Sequence, residues 1–125
     1  MKPFIHARSS AAKFGGKPED YLPIHDFMDS SKSALADVRH RAVFHSAFGI
    51  FIVEKVFGVT ITNSAGRAVS TRDVAEQHVM EDLGTIPTLE SWLRNMRIEP
   101  WMSGAVKVRG KVKHIPMEKT DDRID

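Results

Sequence analysis

Residues 42–53, AVFHSAFGIFIV, form the longest run without a charged side chain, and that run limits what this chain can become. It is too short to cross a bilayer, which takes about 20 apolar residues, and Glu54 and Lys55 close it. A soluble protein must therefore bury it. The stretch from Ala34 to Val56 is apolar on every side after residue 42, which predicts a central helix surrounded by other elements. With 125 residues, 42% of them hydrophobic and 27% charged, the chain has the composition of one globular domain. Such a length buries roughly two-thirds of the surface its unfolded form exposes, so folding needs neither metal nor cross-link. The absence of cysteine removes disulfides, thiolate zinc sites, iron–sulfur clusters and thiol nucleophiles, and is compatible with a reducing compartment. His6, Arg8 and Lys13 interrupt any signal-peptide apolar region, so a cytoplasmic protein with no membrane partner is expected.

The expected architecture is mainly α: one helical domain over 1–104 with a small β-hairpin near 58–69, then an extended basic segment and mobile acidic tail over 105–125. Residues 1–18 read as a partly extended lead-in, with Ser9 or Ser10 capping a brief helix that Gly15 and Gly16 end. A second helix starts about Pro23. Gly58 stops the central helix, and VTITNSAGRAV gives a hairpin around an Asn-Ser-Ala-Gly turn. Ser70 and Asp73 open a helix that runs to Leu83 and stops at Gly84. Thr88 caps another, on which Leu89, Trp92, Leu93 and Met96 form one apolar stripe.

Charge is unevenly spread. Residues 1–96 carry 11 basic and 11 acidic side chains; 97–117 sum to +4 and 118–125 to −2. In the basic strip Lys107, Arg109, Lys111 and Lys113 alternate with valines, so a strand there has one wholly basic face. That face either follows a nucleic-acid backbone or protects a sheet edge from aggregation. No aromatic interleaves the cations, so base stacking is missing. Trp92 fits a core position, whereas Trp101 lies off the stripe and suits a host-protein contact or homo-oligomer interface.

The chemistry-bearing residues are histidines and carboxylates. Five of the six histidines, His6, His25, His40, His45 and His78, precede residue 80. His25 with Asp29, His78 with Asp82, Asp37 with His40, and His78 with Glu81 are spaced to share a helix face. One alternative leaves these as ordinary pairs: His78, Glu81 and Asp82 on a solvated face, His25 bonded to Asp29, His45 satisfied in the core. The other gathers His6, His25, one of His40 or His45, and His78 around Zn²⁺ or another divalent metal, with Asp26, Glu81 or Asp82 completing the shell. The expected ligand set is His6, His25, His40, His78 and Asp82, with Glu81 or Asp82 as candidate catalytic groups. On a straight helix His40 and His45 lie about 140° apart and cannot share an ion. Glu54, inside the apolar run, must face Arg39, Arg41, Arg72 or a metal.

The order His6, His25-Asp26, Asp82 parallels the H…HD…D order of phosphohydrolase metal sites. The chain has no H-E-x-x-H, E-x-x-H, G-x-G-x-x-G, P-loop or G-x-S-x-G pattern, so nicotinamide, flavin and haem are not expected as cofactors. Arg8, Lys13 and Lys17, around Ser9, Ser10, Gly15 and Gly16, form a candidate phosphate cradle; its alternative is a capped surface turn.

The runs HARSSAAKFGGKPEDYLPIHDFMDSSK, ADVRHRAVFHSAFGIFIVEKVFG, VTITNSAGRAV and AEQHVMEDLGTIPTLESWL, over residues 6–96, resemble a small family of proteins of unknown function from bacteriophages and bacterial genomes. The resemblance implies a phage or prophage setting in a bacterial cytoplasm, and no catalytic residues come with it. Two functions follow as expectations. One is a metal-dependent hydrolase or binder of a phosphorylated or nucleotide ligand. The other is a non-enzymatic, oligomeric accessory protein that binds a host protein, nucleic acid or nucleotide signal.

Overall fold

Prolines open helices in this chain and glycines close them, and the computed structural model, which describes residues 1–104, follows that punctuation. Among the described residues are six α-helices and one two-stranded antiparallel sheet. The chain divides into two units, Met1–Asn95 and Met96–Asp125. The basic strip and acidic tail expected over 105–125 lie outside the described residues.

Helix α1 spans Pro3–Phe14, with proline in its first turn and Gly15 (φ 88°) ending it. The lead-in is therefore helical almost from its start. Ser9 and Ser10 lie within it instead of capping it, because no breaker separates Pro3 from Gly15. His6, Ala7, Ser10 and Phe14 form its buried face. Helix α2 spans Leu22–Met28 and buries Ile24, His25 and Met28.

The central helix expected over Ala34–Val56 is broken. A 3-10 turn at Val38–His40, a short α3 at Arg41–Phe44 and α4 at Ala47–Phe57 replace it. The interruption is local: His45 leaves helical geometry (ψ 63°), and Ser46 restarts the helix by accepting the Gly49 N–H at 3.1 Å. Nor is α4 covered on every side. Ile50 and Val53 are buried, whereas Phe48 and Phe51 are 48% and 39% exposed. As expected, Glu54 faces Arg72, at 3.4 Å.

Strands β1 (Thr60–Thr62) and β2 (Ala68–Ser70) pair antiparallel with Ile61 opposite Val69. The Asn63–Gly66 turn closes with a 2.9 Å backbone bond. Asn63 Nδ2 donates to the Tyr21 hydroxyl at 3.1 Å and the Phe14 carbonyl at 3.3 Å, fixing the hairpin to the end of α1. Ser70 caps α5 (Thr71–Leu83), which ends at Gly84. Thr88 caps α6 (Leu89–Leu93), which ends before Met96, and Met96 is 54% exposed, so the expected stripe is incomplete. The apolar core gathers Tyr21, Ile24, Met28, Val53, Val74 and Val79 from α2, α4, α5 and the loop before α2. No described helix is long and apolar enough to cross a membrane.

Gly49 marks the tightest approach. A Cβ there would lie 1.8 Å from the Phe44 carbonyl oxygen, so any side chain must push α3 away from α4 beside His45. Gly49→Ala is expected to cost about 3 kcal/mol, lowering the melting temperature by about 12–24 °C. A melt within about 4 °C of wild type, roughly 1 kcal/mol or less, would contradict that close contact.

Candidate metal centre

Polar side chains share the buried faces of these helices with the apolar core. His6, His25, His45 and His78 are each 0% exposed, and His40 is 3% exposed. Helix α1 supplies His6, α2 supplies His25 and, at its C-terminal end, Asp29; α5 supplies His78, Glu81 and Asp82. The break between α3 and α4 supplies His45. Burying so many imidazoles and carboxylates is unfavourable unless each is paired, and apolar side chains would make a cheaper core.

Asp82 is the hub. Its Oδ2 accepts from His45 Nε2 at 2.9 Å and lies 3.3 Å from His78 Nε2. Its Oδ1 is 3.2 Å from His6 Nε2 and 3.9 Å from Arg41 Nη2. Asp29 Oδ1 lies 3.3 Å from His78 Nε2, 3.7 Å from His45 Nε2 and 3.8 Å from His40 Nε2. Although burial raises the pKa of both aspartates, the facing imidazoles outweigh it and hold both carboxyls below their ordinary value. Burial lowers His45, and burial with the nearby His78 and His6 pushes His25 down to about 3. For His78 the balance tips the other way: burial lowers it, but hydrogen bonds to Asp29 and Asp82 leave it raised.

The outward nitrogens decide what the inward ones can do. His6 Nδ1 donates to Glu81 Oε1 at 2.7 Å, and His40 Nδ1 donates to the Asp37 carbonyl at 2.8 Å. Ser10 has one hydroxyl proton, which goes to Gln77 Oε1 at 2.6 Å, so Ser10 Oγ accepts from His25 Nε2 at 2.8 Å. Gln77 in turn donates to the His6 carbonyl and to Glu81, each at 3.0 Å. Three rings thus have one nitrogen tied outward, leaving the other to face the interior. This is the arrangement that orients histidine ligands at metal centres. His6 Nε2, His40 Nε2, His45 Nδ1 and Asp29 Oδ2 have no hydrogen-bond partner although buried.

Among the described residues two groups have ligand atoms close enough to hold an ion: Asp29, His45, His78 and Asp82, and His6, His25 and His78. In the first, four inter-ligand separations are 2.9, 3.3, 3.3 and 3.7 Å. A tetrahedral ion with ligand bonds of 2.0–2.1 Å needs edges of about 3.3 Å. The residues present fit a divalent ion of that size.

Of the expected metal ligands, His6, His25, His78 and Asp82 come together, and His40 stands at their edge. Glu81 orients His6 and binds Ser9 instead of entering the cluster. Asp26 is exposed, so the H…HD…D order does not describe this site. The solvated-face alternative for His78, Glu81 and Asp82 fails on the burial of His78. His25 Nδ1 meets His78 Nδ1 at 2.8 Å, where a bond to Asp29 was the alternative. His40 and His45 approach the same Asp29 oxygen because the helix between them is not straight. The ligand set chosen from the sequence leaves out Asp29, although its spacing from His25 marks it as able to share an ion, and leaves out Ser10 and Gln77, which bond His25 and the His6 backbone.

The expected phosphate contacts do not gather here. Arg8 and Lys17 are exposed, and the helix start that would supply free N–H groups is at Pro3. Lys13 lines a cavity of about 600 Å³ with Ser9, Gln77 and the acidic Asp73, Glu76 and Glu81, whose charges oppose a phosphate. Trp92 is half-buried and donates from Nε1 to the His45 carbonyl at 2.8 Å, fixing the backbone of a site residue. Trp101 is 54% exposed. Lys107, Arg109, Lys111 and Lys113 lie outside the described residues.

A helical unit with a buried histidine and aspartate cluster is thus the class of protein that fold and site define. Residues 1–102 match the family model for a domain of unknown function, DUF6915, and the chain belongs to that family. Neither the curated proteins nor the solved structures show a match to this chain.

Proposed function

We propose that this is a metal-binding protein whose Asp29, His45, His78 and Asp82 side chains hold one divalent transition-metal ion. Zn²⁺ suits the mixed imidazole and carboxylate donors and the tetrahedral spacing. The carrying observation is the set of inter-ligand separations from 2.9 to 3.7 Å among buried donors.

Hydrolysis of a phosphorylated or nucleotide ligand would need an open position on the ion. Arg41 supports such a ligand: its Nη2 is 3.9 Å from Asp82 Oδ1 and its buried Nε has no hydrogen-bond partner. An oxyanion beside Asp82 Oδ1 would meet the Arg41 guanidinium. The sequence resemblance supports a phage or bacterial cytoplasm as the setting. A second reading, an oligomeric adaptor, is supported by the exposed Phe48, Phe51 and Val56 of α4. Light scattering tests it.

Elemental analysis of untagged protein purified without chelator tests the metal reading. At least about one ion per chain is expected, and none after His78→Ala; less than about a tenth of an ion in wild type overturns the proposal. Saturating Zn²⁺, at about a hundred times its dissociation constant, should stabilise chelated wild type by about 2.7 kcal/mol.

A further inference from the structure

We infer that the site is built for two ions, with the His78 imidazole bridging them and His6 and His25 completing the second position. The inference rests on the metal reading above and extends it. His78 uses its two ring nitrogens in opposite directions. Its Nε2 faces Asp29 and Asp82, each at 3.3 Å, while its Nδ1 faces His25 Nδ1 at 2.8 Å. One ring nitrogen from each of His6, His25 and His78 lies within 4.8 Å of the others. Two nitrogens cannot meet at that distance with lone pairs alone; a proton or a cation must stand between them.

A single proton would satisfy His25 and His78; His6 Nε2 meanwhile lies 3.2 Å from Asp82 Oδ1, between the two ligand groups. The His6 ring stacks on His78 with centroids 3.8 Å apart, its Nδ1 is held by Glu81, and its buried Nε2 faces that Asp82 oxygen. A cation shared by His6, His25 and His78 uses all three inward nitrogens. The Ser10, Gln77 and Glu81 network supplies the support around them. It fixes the two rings that belong to the second position and not to the first, which is what the outer partners of metal ligands do.

Two divalent ions bring +4, and Asp29, Asp82, Glu81 and a His78 imidazolate bring −4, with Arg41 and the Met1 ammonium also on Asp82 at 3.9 and 3.4 Å. Filling both positions takes both ring protons from His78, and they go to solvent. Three protein nitrogens leave the second ion a position for water, unlike the closed four-ligand first position. The second ion is therefore the one equipped for chemistry.

The test is stoichiometric and spectroscopic. Chelated full-length protein is titrated with Zn²⁺ and then with Cu²⁺, with bound metal counted after desalting. Two ions per chain are expected, and the copper form should show a spin-resonance signal well below its metal content because the bridge couples the ions. His25→Gln should bind one ion with full signal intensity. Ser10→Ala, which leaves every ligand in place, should weaken only the second ion, by about 10–100-fold. No bound ion overturns both this inference and the metal reading, whereas one ion in wild type overturns this inference alone. Two ions with full signal intensity overturn the bridge. Should His25→Gln fail to fold, Ser10→Ala and the wild-type spectrum still decide.

Discussion

Asp82→Asn is expected to lower the melting temperature by about 12–24 °C, through a loss of about 3 kcal/mol, and to bring bound metal below about a tenth of an ion per chain. The substitution keeps the shape of the side chain and removes its charge. What it leaves behind are His6, His45 and His78, within 2.9 to 3.3 Å of a group that no longer balances a proton or a metal. Arg41, at 3.9 Å, loses its counter-charge as well. The same melts run with chelator separate the two sources of stability. Wild type should lose stability on chelation and Asp82→Asn should not, because the variant has no ion to lose. Equal losses in both proteins would show that chelation acts elsewhere, and an unchanged melting temperature would show that the Asp82 contacts contribute nothing.

The fold was legible wherever local chemistry sets it. Pro23 in a first turn, Ser70 and Thr88 as caps, and Gly15, Gly58 and Gly84 as stops need no knowledge of distant residues, whereas the helix start at Pro3 was read as a partly extended lead-in. The break before α4 was not legible, since the run around His45 and Ser46 contains neither proline nor, before residue 49, glycine. It arises from tertiary partners. Trp92 bonds the His45 carbonyl, and the Ala47 N–H donates to the Pro87 carbonyl at 2.9 Å. Those bonds compensate for the lost turn, and they come from residues some 40 positions later, which no local pattern reveals.

The site divides the same way. His25, His78 and Asp82 were readable as helical positions beside apolar neighbours, whereas His6 was read into a partly extended lead-in. Asp29 was readable only as a neighbour of His25. Its real partners, His40, His45 and His78, come from three other segments. Assuming a straight helix between His40 and His45 excluded a pairing that the bend permits. Histidine-to-carboxylate spacing thus located the helices that carry the site but not the register in which their side chains meet.

In metal-free protein, stability is expected to fall as pH drops from 6.5 to 5, and added metal should steepen that fall. His25 is held near 3 and His45 below its ordinary value, both chiefly by burial. The unfolded chain therefore takes up protons near pH 6.5 that the folded chain refuses. Their contribution is complete above the unfolded value and is lost as pH falls toward the folded one. His78 has the opposite sign: raised by Asp29 and Asp82, it stabilises below 6.5 and loses that contribution as pH rises through its folded value. The lowered Asp29, Asp82 and Glu81 contribute above the ordinary carboxylate range and weaken only in stronger acid. Between 6.5 and 5 the contest is thus two histidines against one, and His25 alone accounts for about 2 kcal/mol. Metal adds to the loss because the ion must displace the His78 proton, so its apparent affinity should weaken about tenfold per pH unit below the point where that ring protonates. Melts of chelated and Zn²⁺-loaded protein from pH 5 to 8 should converge in acid and diverge toward base. A chelated protein equally stable at both ends would mean that His25 titrates freely, and a constant gap between the two series would mean that no imidazole proton leaves when the ion binds.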